Sequence, residues 1–278
     1  MDFIEVLKAV LFGIVEGITE WLPISSTGHL ILLEEWCPLA TSKEFFQMFL
    51  VVIQFGAILA VVVSFFHKMN PFGRKPMKQK REITQNWIKV IIGCIPAGVF
   101  GVLLNDWFDE HLSDPMVVAV ALIVYGILFL LLENRNQDRN FQINRLGQLS
   151  YIGALTIGMI QVLALVPGTS RSGATILGAM LLGVARPVAA EFSFYLSVPV
   201  MCGASLLKLL HFGFAFTQTE IVLLLAGTLM AFLVSMAAIK LFMDYVRTHD
   251  FRIFGYYRIL LGIVVIAYFV FLDKTPAV

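Results

Sequence analysis

The sequence is short of charge, because only 14% of its 278 residues are Asp, Glu, Lys or Arg, whereas soluble domains carry about 25%. The 20 basic residues are nearly balanced by 19 acids, so we expect no nucleic-acid partner. Cysteine is scarce, and Cys37, Cys94 and Cys202 lie far apart, which excludes a disulfide framework and a cysteine metal site. No basic leader with a small-residue cleavage site precedes the first apolar stretch, so we expect no removed signal peptide.

Hydrophobic residues dominate instead. They make up 59% of the chain, and they gather in runs long enough to cross a bilayer. Six such stretches predict transmembrane helices at about 44–67, 86–105, 115–133, 190–211, 220–243 and 254–272. The runs, rather than the average composition, identify an integral membrane protein.

Two further apolar regions, 3–36 and 150–186, are interrupted by proline, glycine and serine. Pro23 and Pro167 each favour a helix end near the preceding residue. Irregular backbone at membrane depth is tolerated only where it is buried in protein or lines a wet cavity. We therefore predict a re-entrant helix pair in each region, with its tip near the bilayer midplane.

The two broken regions are related in sequence. Set 145 residues apart, they match Gly13 with Gly158, Glu16 with Gln161, Ser25 with Ser170, and Gly28 with Gly173. Three spans follow each region, and since three is odd, the second half must be inverted relative to the first. We predict one all-α integral membrane domain over 1–278, built from two inverted-topology repeats at about 1–135 and 148–278. Each repeat is a re-entrant helix pair plus three transmembrane helices.

Charges between the spans predict the orientation. Segment 68–85 carries six Lys or Arg against Glu82 alone, whereas segment 105–114 carries only acids, namely Asp106, Asp109, Glu110 and Asp114. Short loops rich in Lys and Arg stay cytoplasmic. Segments 134–149, which includes Arg139, and 244–252 are also basic. We therefore place the basic segments inside, and 105–114, 212–219 and both chain ends outside.

The first tip carries two acids. Glu16 and Glu20 are four residues apart, so one helical face presents both carboxylates. Close carboxylates repel and need a shared proton, an arginine or a cation. A divalent cation held by one or two carboxylates and by substrate phosphate oxygens is a common solution. The alternative is a helix end with two solvated acids at the membrane interface.

Hydroxyl groups follow these acids. Ser25, Ser26 and Thr27 at a helix start offer hydroxyls and backbone N–H groups to an anion, although Ser and Thr also serve as ordinary helix caps. A hydroxyl beside an imidazole can act as nucleophile and base. Because Ser26 and His29 are three residues apart on one helical face, we interpret Ser26 as the nucleophile and His29 as its base. Direct attack by His29, or by a metal-bound water, is the rival scheme.

The second tip adds a cation. Gly168 and Gly173 allow close approach of a ligand to the backbone, and Ser170 and Ser172 flank Arg171. A guanidinium group matches phosphate oxygens with paired hydrogen bonds and stays charged when buried. The alternative role for Arg171 is a structural counter-ion of the acids. Two acids, hydroxyls, an imidazole and an arginine together suit phosphoryl transfer.

At these residues the chain resembles the undecaprenyl-diphosphate phosphatase family, the bacitracin-resistance family of bacterial membrane enzymes. Residues 16–29 and 167–175 carry the resemblance, with 51–58 and 191–194 in support, and it runs nearly end to end. It implies hydrolysis of undecaprenyl diphosphate to undecaprenyl phosphate and phosphate, which recycles the lipid carrier for cell-wall synthesis. It also implies a polyprenyl diphosphate substrate, a Mg²⁺ or Ca²⁺ cofactor and the bacterial cytoplasmic (inner) membrane. A homodimer is left open.

The resemblance also implies roles for individual residues. It places the family's paired glutamates, hydroxyl run, histidine and arginine motif at Glu16 and Glu20, at Ser25, Ser26 and Thr27, at His29, and at Ser170, Arg171 and Ser172. One position departs from the pattern. Many relatives have an acid where this chain has Leu50, so we assign no role to an acid there.

Two other readings compete with this one. Inverted repeats whose broken helices meet at the midplane are also transporter architecture, so a lipid-phosphate flippase is the main alternative. A second class of membrane lipid phosphatases uses a Pro-Ser-Gly-His segment followed by Ser-Arg and a nearby histidine. Here the next histidine after Arg171 is His211, which disfavours that class.

Overall fold

The computed structural model describes residues 3–112, 114–137, 140–213 and 215–272. Over these ranges the chain forms helices and one isolated β-bridge, between Ile143 and Val184. The α-helices are α1 (Phe3–Thr19), α2 (Ser26–Trp36), α3 (Lys43–Ser64), α4 (Phe66–Met69), α5 (Met77–Leu112), α6 (Pro115–Arg135), α7 (Tyr151–Gln161), α8 (Arg171–Leu181), α9 (Arg186–Phe212), α10 (Gln218–Tyr245) and α11 (Arg252–Ala267). Short 3₁₀ helices occur at Leu146–Gln148 and Val162–Leu165, and a π-helical turn at Tyr268–Leu272.

Six of these helices are long and apolar enough to cross a membrane. They include Lys43–Ser64, Met77–Leu104, Pro115–Arg135, Arg186–Phe212, Gln218–Tyr245 and Arg252–Phe271. Each contains or overlaps one of the predicted spans. The prediction of an all-helical, multi-pass membrane protein is therefore confirmed.

Helix α5 is longer than the span predicted at about 86–105. It begins at Met77, continues through Pro96 and ends at Leu112, so much of the predicted 68–85 and 105–114 loops is helical. The first turns of α5 are rich in Lys, Gln and Arg, which favour helices as strongly as most apolar residues do. Hydropathy marks where a helix enters the membrane and not where the helix itself ends.

Some of the orientation prediction falls outside the described residues. The side chains of Asp106, Asp109 and Glu110, and all of Arg139, lie there, as do the chain ends at 1–2 and 273–278.

Both apolar regions break where the prolines predict. In the first, α1 ends at Thr19 and α2 begins at Ser26. In the second, α7 passes through a 3₁₀ turn and α8 begins at Arg171. We call residues 20–25 the first tip and residues 166–170 the second tip.

Glycine lets helices from the two halves approach closely. A Cβ atom at Gly13 of α1 would lie 2.3 Å from the carbonyl oxygen of Gly227 in α10. A Cβ atom at Gly158 of α7 would lie 2.2 Å from the carbonyl oxygen of Gly93 in α5. Small residues allow such close contact in membranes, where packing rather than the hydrophobic effect holds helices together. These contacts fix the helix that leads into each tip.

An aromatic core anchors the first tip to α9. Trp21 is fully buried and meets the Phe194 ring edge-on, with centroids 5.2 Å apart. Phe194 packs in turn on Phe65 and on Phe242 of α10. Edge-to-face aromatic pairs add about 0.5–1.5 kcal/mol each beyond their burial. The residues on either side of Trp21 are thereby held in a defined position.

Candidate active site

The two tips lie against each other. The Ser172 hydroxyl, in the first turn of α8, is 3.2 Å from the backbone oxygens of both Glu20 and Leu22 in the first tip. Its side chain also lies 3.0 Å from the Ser170 hydroxyl of the second tip. Residues some 150 positions apart in the chain therefore form one buried polar cluster.

Glu20 is the centre of this cluster. Its Oε2 accepts a hydrogen bond of 3.0 Å from the Ser26 hydroxyl, and its Oε1 lies 3.2 Å from Nη2 of Arg171. Glu20 and Ser26 are both buried. The starts of α2 and α8 thus converge on one carboxylate. Three residues predicted for the site from sequence are brought together by the fold.

Arg171 is held by α9 and Glu20, but one of its nitrogens has no partner in the described structure. Its Nη1 donates to the backbone oxygen of Ser193 in α9 at 2.8 Å, and the Ser193 hydroxyl accepts from Thr175 at 2.7 Å. Its Nε is buried and has no hydrogen-bond partner within the described residues. Buried donors in native proteins almost always have partners. The free Nε of Arg171 is therefore available to a ligand oxygen or a water.

Glu16 is fully buried one turn before Glu20, and neither of its carboxylate oxygens has a hydrogen-bond partner among the described residues. Burying an unpaired carboxylate costs several kcal/mol, so such a group takes up a proton or a cation. Two buried carboxylate oxygens without partners in the described structure suit a hard divalent cation. The described part of the chain contains no group of three or more His, Cys, Asp or Glu that could form a complete metal site. Further ligands would have to come from substrate or water.

The start of α2 has no side-chain cap within the described residues. Ser25 has a φ of 71°, its hydroxyl is buried without a partner in the described structure, and no side chain caps the helix. Ser170 occupies the equivalent place before α8 with a φ of 70°, but its hydroxyl accepts from the backbone N–H of Gly173 at 3.2 Å. Left-handed backbone at a non-glycine residue costs about 1–3 kcal/mol and is enriched at functional sites. Of the two helix starts, only that of α2 has its side-chain cap missing.

His29 lies in the first turns of α2 and is partly buried. Its Nδ1 lies 2.7 Å from the backbone oxygen of Ser25, which can only accept, so in the neutral ring Nδ1 carries the hydrogen. Its Nε2 then accepts from the Tyr257 hydroxyl, also at 2.7 Å, and the two rings stack with centroids 5.6 Å apart. The described residues include no hydrogen bond between His29 and Ser26, because Ser26 donates to Glu20 instead.

The remaining predicted residues occupy different places. Thr27 is exposed on α2. Gly168 has a φ of 90°, and a Cβ atom there would lie 2.4 Å from the backbone oxygen of Val118, so it allows the second tip to contact α6. A Cβ atom at Gly173 would lie 3.1 Å from Nη1 of Arg258. Both glycines thus make room for neighbouring protein groups.

Arg258 is the residue that sequence reasoning missed. It lies in α11 and is fully buried, with Nη1 donating to the Pro23 oxygen at 3.1 Å and Nη2 donating to the Gly168 and Thr169 oxygens at 2.8 Å each. One guanidinium therefore fastens both tips. A signal was present, because a charged residue within the predicted 254–272 span is a functional candidate.

Chemically, the cluster offers a hydroxyl bonded to a carboxylate, a second carboxylate without partners, a guanidinium with a free N–H, and an uncapped helix start. A carboxylate can take a proton from a hydroxyl, and cationic groups stabilise the charge that develops on a transferred phosphoryl group. Groups of these kinds are suited to phosphoryl transfer.

Comparison with known proteins gives a consistent result. Residues 9–264 match the family described as bacitracin resistance protein BacA. A protein of Clostridioides difficile (strain 630) named undecaprenyl-diphosphatase 1 is 57% identical over 269 residues, which cover 96% of this chain and 97% of the relative. Two proteins named undecaprenyl-diphosphatase, from Enterococcus faecalis and Acetivibrio thermocellus, are 54% and 55% identical, and each alignment covers 96% of this chain and 98% of the relative.

Proposed function

The chain belongs to the bacitracin resistance protein BacA family, and from this premise we propose that it hydrolyses undecaprenyl diphosphate to undecaprenyl phosphate and phosphate. Its relatives at 50–57% identity are named for this activity and are matched over nearly their full length. The single observation that carries the proposal from the structure is the Glu20 carboxylate, which joins Ser26 to Arg171 between the two tips.

We assign the nucleophile to Ser26. Its oxygen attacks the terminal phosphorus while its proton passes to Glu20, which already accepts its hydrogen bond. The bond from phosphorus to the bridging oxygen breaks, and undecaprenyl phosphate leaves with the proton that Glu20 took up. Water then cleaves the phosphoserine, and one of its protons returns to the serine oxygen through Glu20. Glu20 thus replaces His29 as the general base of the scheme.

Arg171 and the start of α2 neutralise the phosphate charge. The free Nε of Arg171 and the uncapped N–H groups beside Ser25 are donors with no partner in the described structure. Donors fixed in a dry site are worth more than in water, since they need not reorganise during the reaction. His29 is hydrogen-bonded to the partly exposed Tyr257, and we place the leaving prenyl phosphate beside this pair.

A divalent cation, Mg²⁺ or Ca²⁺, completes the proposal. Glu16 would hold it together with Glu20, since the two Glu16 oxygens are buried and otherwise unpartnered in the described structure. When bound, the cation would offset the negative charge of the diphosphate and polarise its oxygens.

We further propose the inverted arrangement. Two re-entrant pairs, α1–α2 and α7–α8, would enter from opposite sides of the bacterial cytoplasmic membrane, with repeats at about 1–135 and 148–278. Supporting it, α1 packs on α10 of the other half through Gly13, and α7 packs on α5 through Gly158, its counterpart in the repeat. The matching positive φ of Ser25 and Ser170 adds to this. The homodimer remains a prediction, which light scattering of the purified protein would test.

The deciding experiment is phosphate release from undecaprenyl diphosphate by the purified protein in detergent, with and without a chelator. Hydrolysis needs no sealed membrane, so release in detergent is expected, whereas a flippase alone would release none. Ser26→Ala should abolish release. Ser205→Ala is the matched control, because this buried serine donates to the Val51 oxygen away from the tips.

Rapid quenching with terminally labelled substrate separates the chemical schemes. We expect a phosphoserine, which survives acid and is labile to strong base. An acid-labile adduct that persists in Ser26→Ala would instead assign the attack to His29.

A further inference from the structure

A large groove lies apart from the tips, at the end of the molecule that carries the basic 68–85 segment. Its volume is about 1550 Å³, and it runs along α4 and the start of α5 with Tyr151 and Val198 on its far wall. None of the tip residues lines it. It is larger than the roughly 300–1,000 Å³ of ordinary small-molecule pockets, which suggests a long, flexible occupant.

One edge of the groove is positively charged. Lys78, Lys80 and Arg81 line it in the first turns of α5, and no aspartate or glutamate is among the lining residues that the structure describes. The nearest acid in sequence, Glu82, points elsewhere, because its Oε1 lies 3.0 Å from where a Cβ atom on Gly147 would be. Over the described ranges these three cations form no ion pair. This edge therefore carries positive charge that no carboxylate among the described lining residues balances.

The rest of the groove is apolar. Phe72 and Met77 are 82% and 81% exposed, and Phe66 is 50% exposed. Trp87 presents its ring to the groove and donates its indole N–H to the backbone oxygen of Met69 at 2.7 Å. Aromatic residues beside cations are typical of the membrane interface, where one end of a lipid is charged and the other is apolar.

We propose that this groove binds an anionic phospholipid of the surrounding leaflet. The phosphate group would lie between Lys78, Lys80 and Arg81, and the acyl chains would follow Phe66, Trp87 and Val198. Basic pockets between transmembrane helices bind anionic headgroups in this manner. The site is separate from the hydrolytic centre, and the proposal stands or falls independently of the hydrolysis.

The test is native mass spectrometry of the purified protein in detergent with equal amounts of phosphatidylglycerol and phosphatidylcholine. Each cation close to an anionic headgroup contributes roughly five-fold in affinity, so after screening we expect a preference for phosphatidylglycerol of at least about ten-fold. The variant Lys78→Gln/Lys80→Gln/Arg81→Gln should reduce this preference to below about three-fold. Its matched control, Arg135→Gln/Arg145→Gln/Lys240→Gln, removes three exposed cations outside the groove and should retain it.

Three outcomes would overturn the proposal. One is an unmodified protein that holds both lipids equally. Another is a groove variant whose preference equals that of the control variant. The third is displacement of phosphatidylglycerol by an equal concentration of undecaprenyl phosphate, which would assign the groove to the prenyl product. Phosphate release by both variants in detergent without added lipid should stay within about two-fold of the unmodified protein, because neither set touches the tips.

Discussion

Arg258 provides the sharpest test of the site, because one side chain holds both tips. Its Nη1 donates to the Pro23 oxygen in the first tip, and its Nη2 donates to the oxygens of Gly168 and Thr169 in the second. The change to make is Arg258→Lys. Lysine keeps the positive charge, but all its N–H donors lie on one nitrogen, so it lacks the two separate nitrogens that reach the two tips.

The structure sets the size of the effect. At least one of the three buried carbonyl oxygens loses its partner, at a cost of about 1–3 kcal/mol. For a chain of this size about 1 kcal/mol corresponds to roughly 2–4 °C, so a loss of about 2 kcal/mol lowers Tm by about 4–8 °C. The reacting groups lie at or directly after the tips, with Glu20 and Ser26 at the first and Arg171 at the second. A shift of about 1 Å between them should lower phosphate release about 100-fold.

Melting can be followed in detergent with a thiol-reactive dye, since Cys94 and Cys202 are half-buried and free. Phosphate release from undecaprenyl diphosphate measures the activity. The matched control is Arg252→Lys in the same helix, because Arg252 bonds Asn134 and Gln137 at the surface. The control should stay within about 0.5 kcal/mol of the unmodified protein. The reasoning is wrong if Arg258→Lys melts and reacts like the control.

Arg171→Ala should lower phosphate release about 100-fold or more, with Arg171→Lys in between, since lysine retains charge without the fork. If Arg171→Ala releases phosphate as fast as the unmodified protein, Arg171 is only a structural counter-ion of the acids. Glu20→Gln should lower activity strongly and flatten its Mg²⁺ titration, because an amide is a poorer ligand for a hard cation and a poorer proton acceptor. An unchanged titration would argue against the metal role. The last test places single cysteines in a cysteine-free background, Arg74→Cys between α3 and α5 and Gln218→Cys at the start of α10, which follows the equivalent connection of the second repeat. An impermeant thiol reagent on intact cells should label only Gln218→Cys. Labelling of both would contradict the inverted arrangement.

The sequence was sufficient where the signal is local. Hydropathy predicted all six spanning helices, and Pro23 and Pro167 predicted both helix breaks. Both predictions depend only on the conformational and hydropathic preferences of residues that are close in sequence. They work because a chain inside a membrane must satisfy its backbone hydrogen bonds locally, within helices. The same locality explains the shorter prediction for α5, because hydropathy does not register the polar turns that extend that helix at both ends.

The motifs also determined which residues to expect at the site, but not how they are paired. The spacing along α2 predicts that Ser26 pairs with His29. In the structure Ser26 is hydrogen-bonded to Glu20, and His29 is hydrogen-bonded to Tyr257. Periodicity along one helix cannot report a partner on another, because that partner depends on how the helices pack. In a membrane such packing is decided by shape and small residues rather than by hydrophobicity.

The sequence by itself thus determined the membrane class, the number of spans, the two breaks and the chemical groups at each tip. Only the tertiary structure decided that Arg258 fastens both tips, that Glu16 is buried without a partner in the described structure, and that Arg171 reaches Glu20. The physical reason is distance along the chain. These contacts join residues from different helices, so they exist only after α1, α8 and α11 have packed around the two tips.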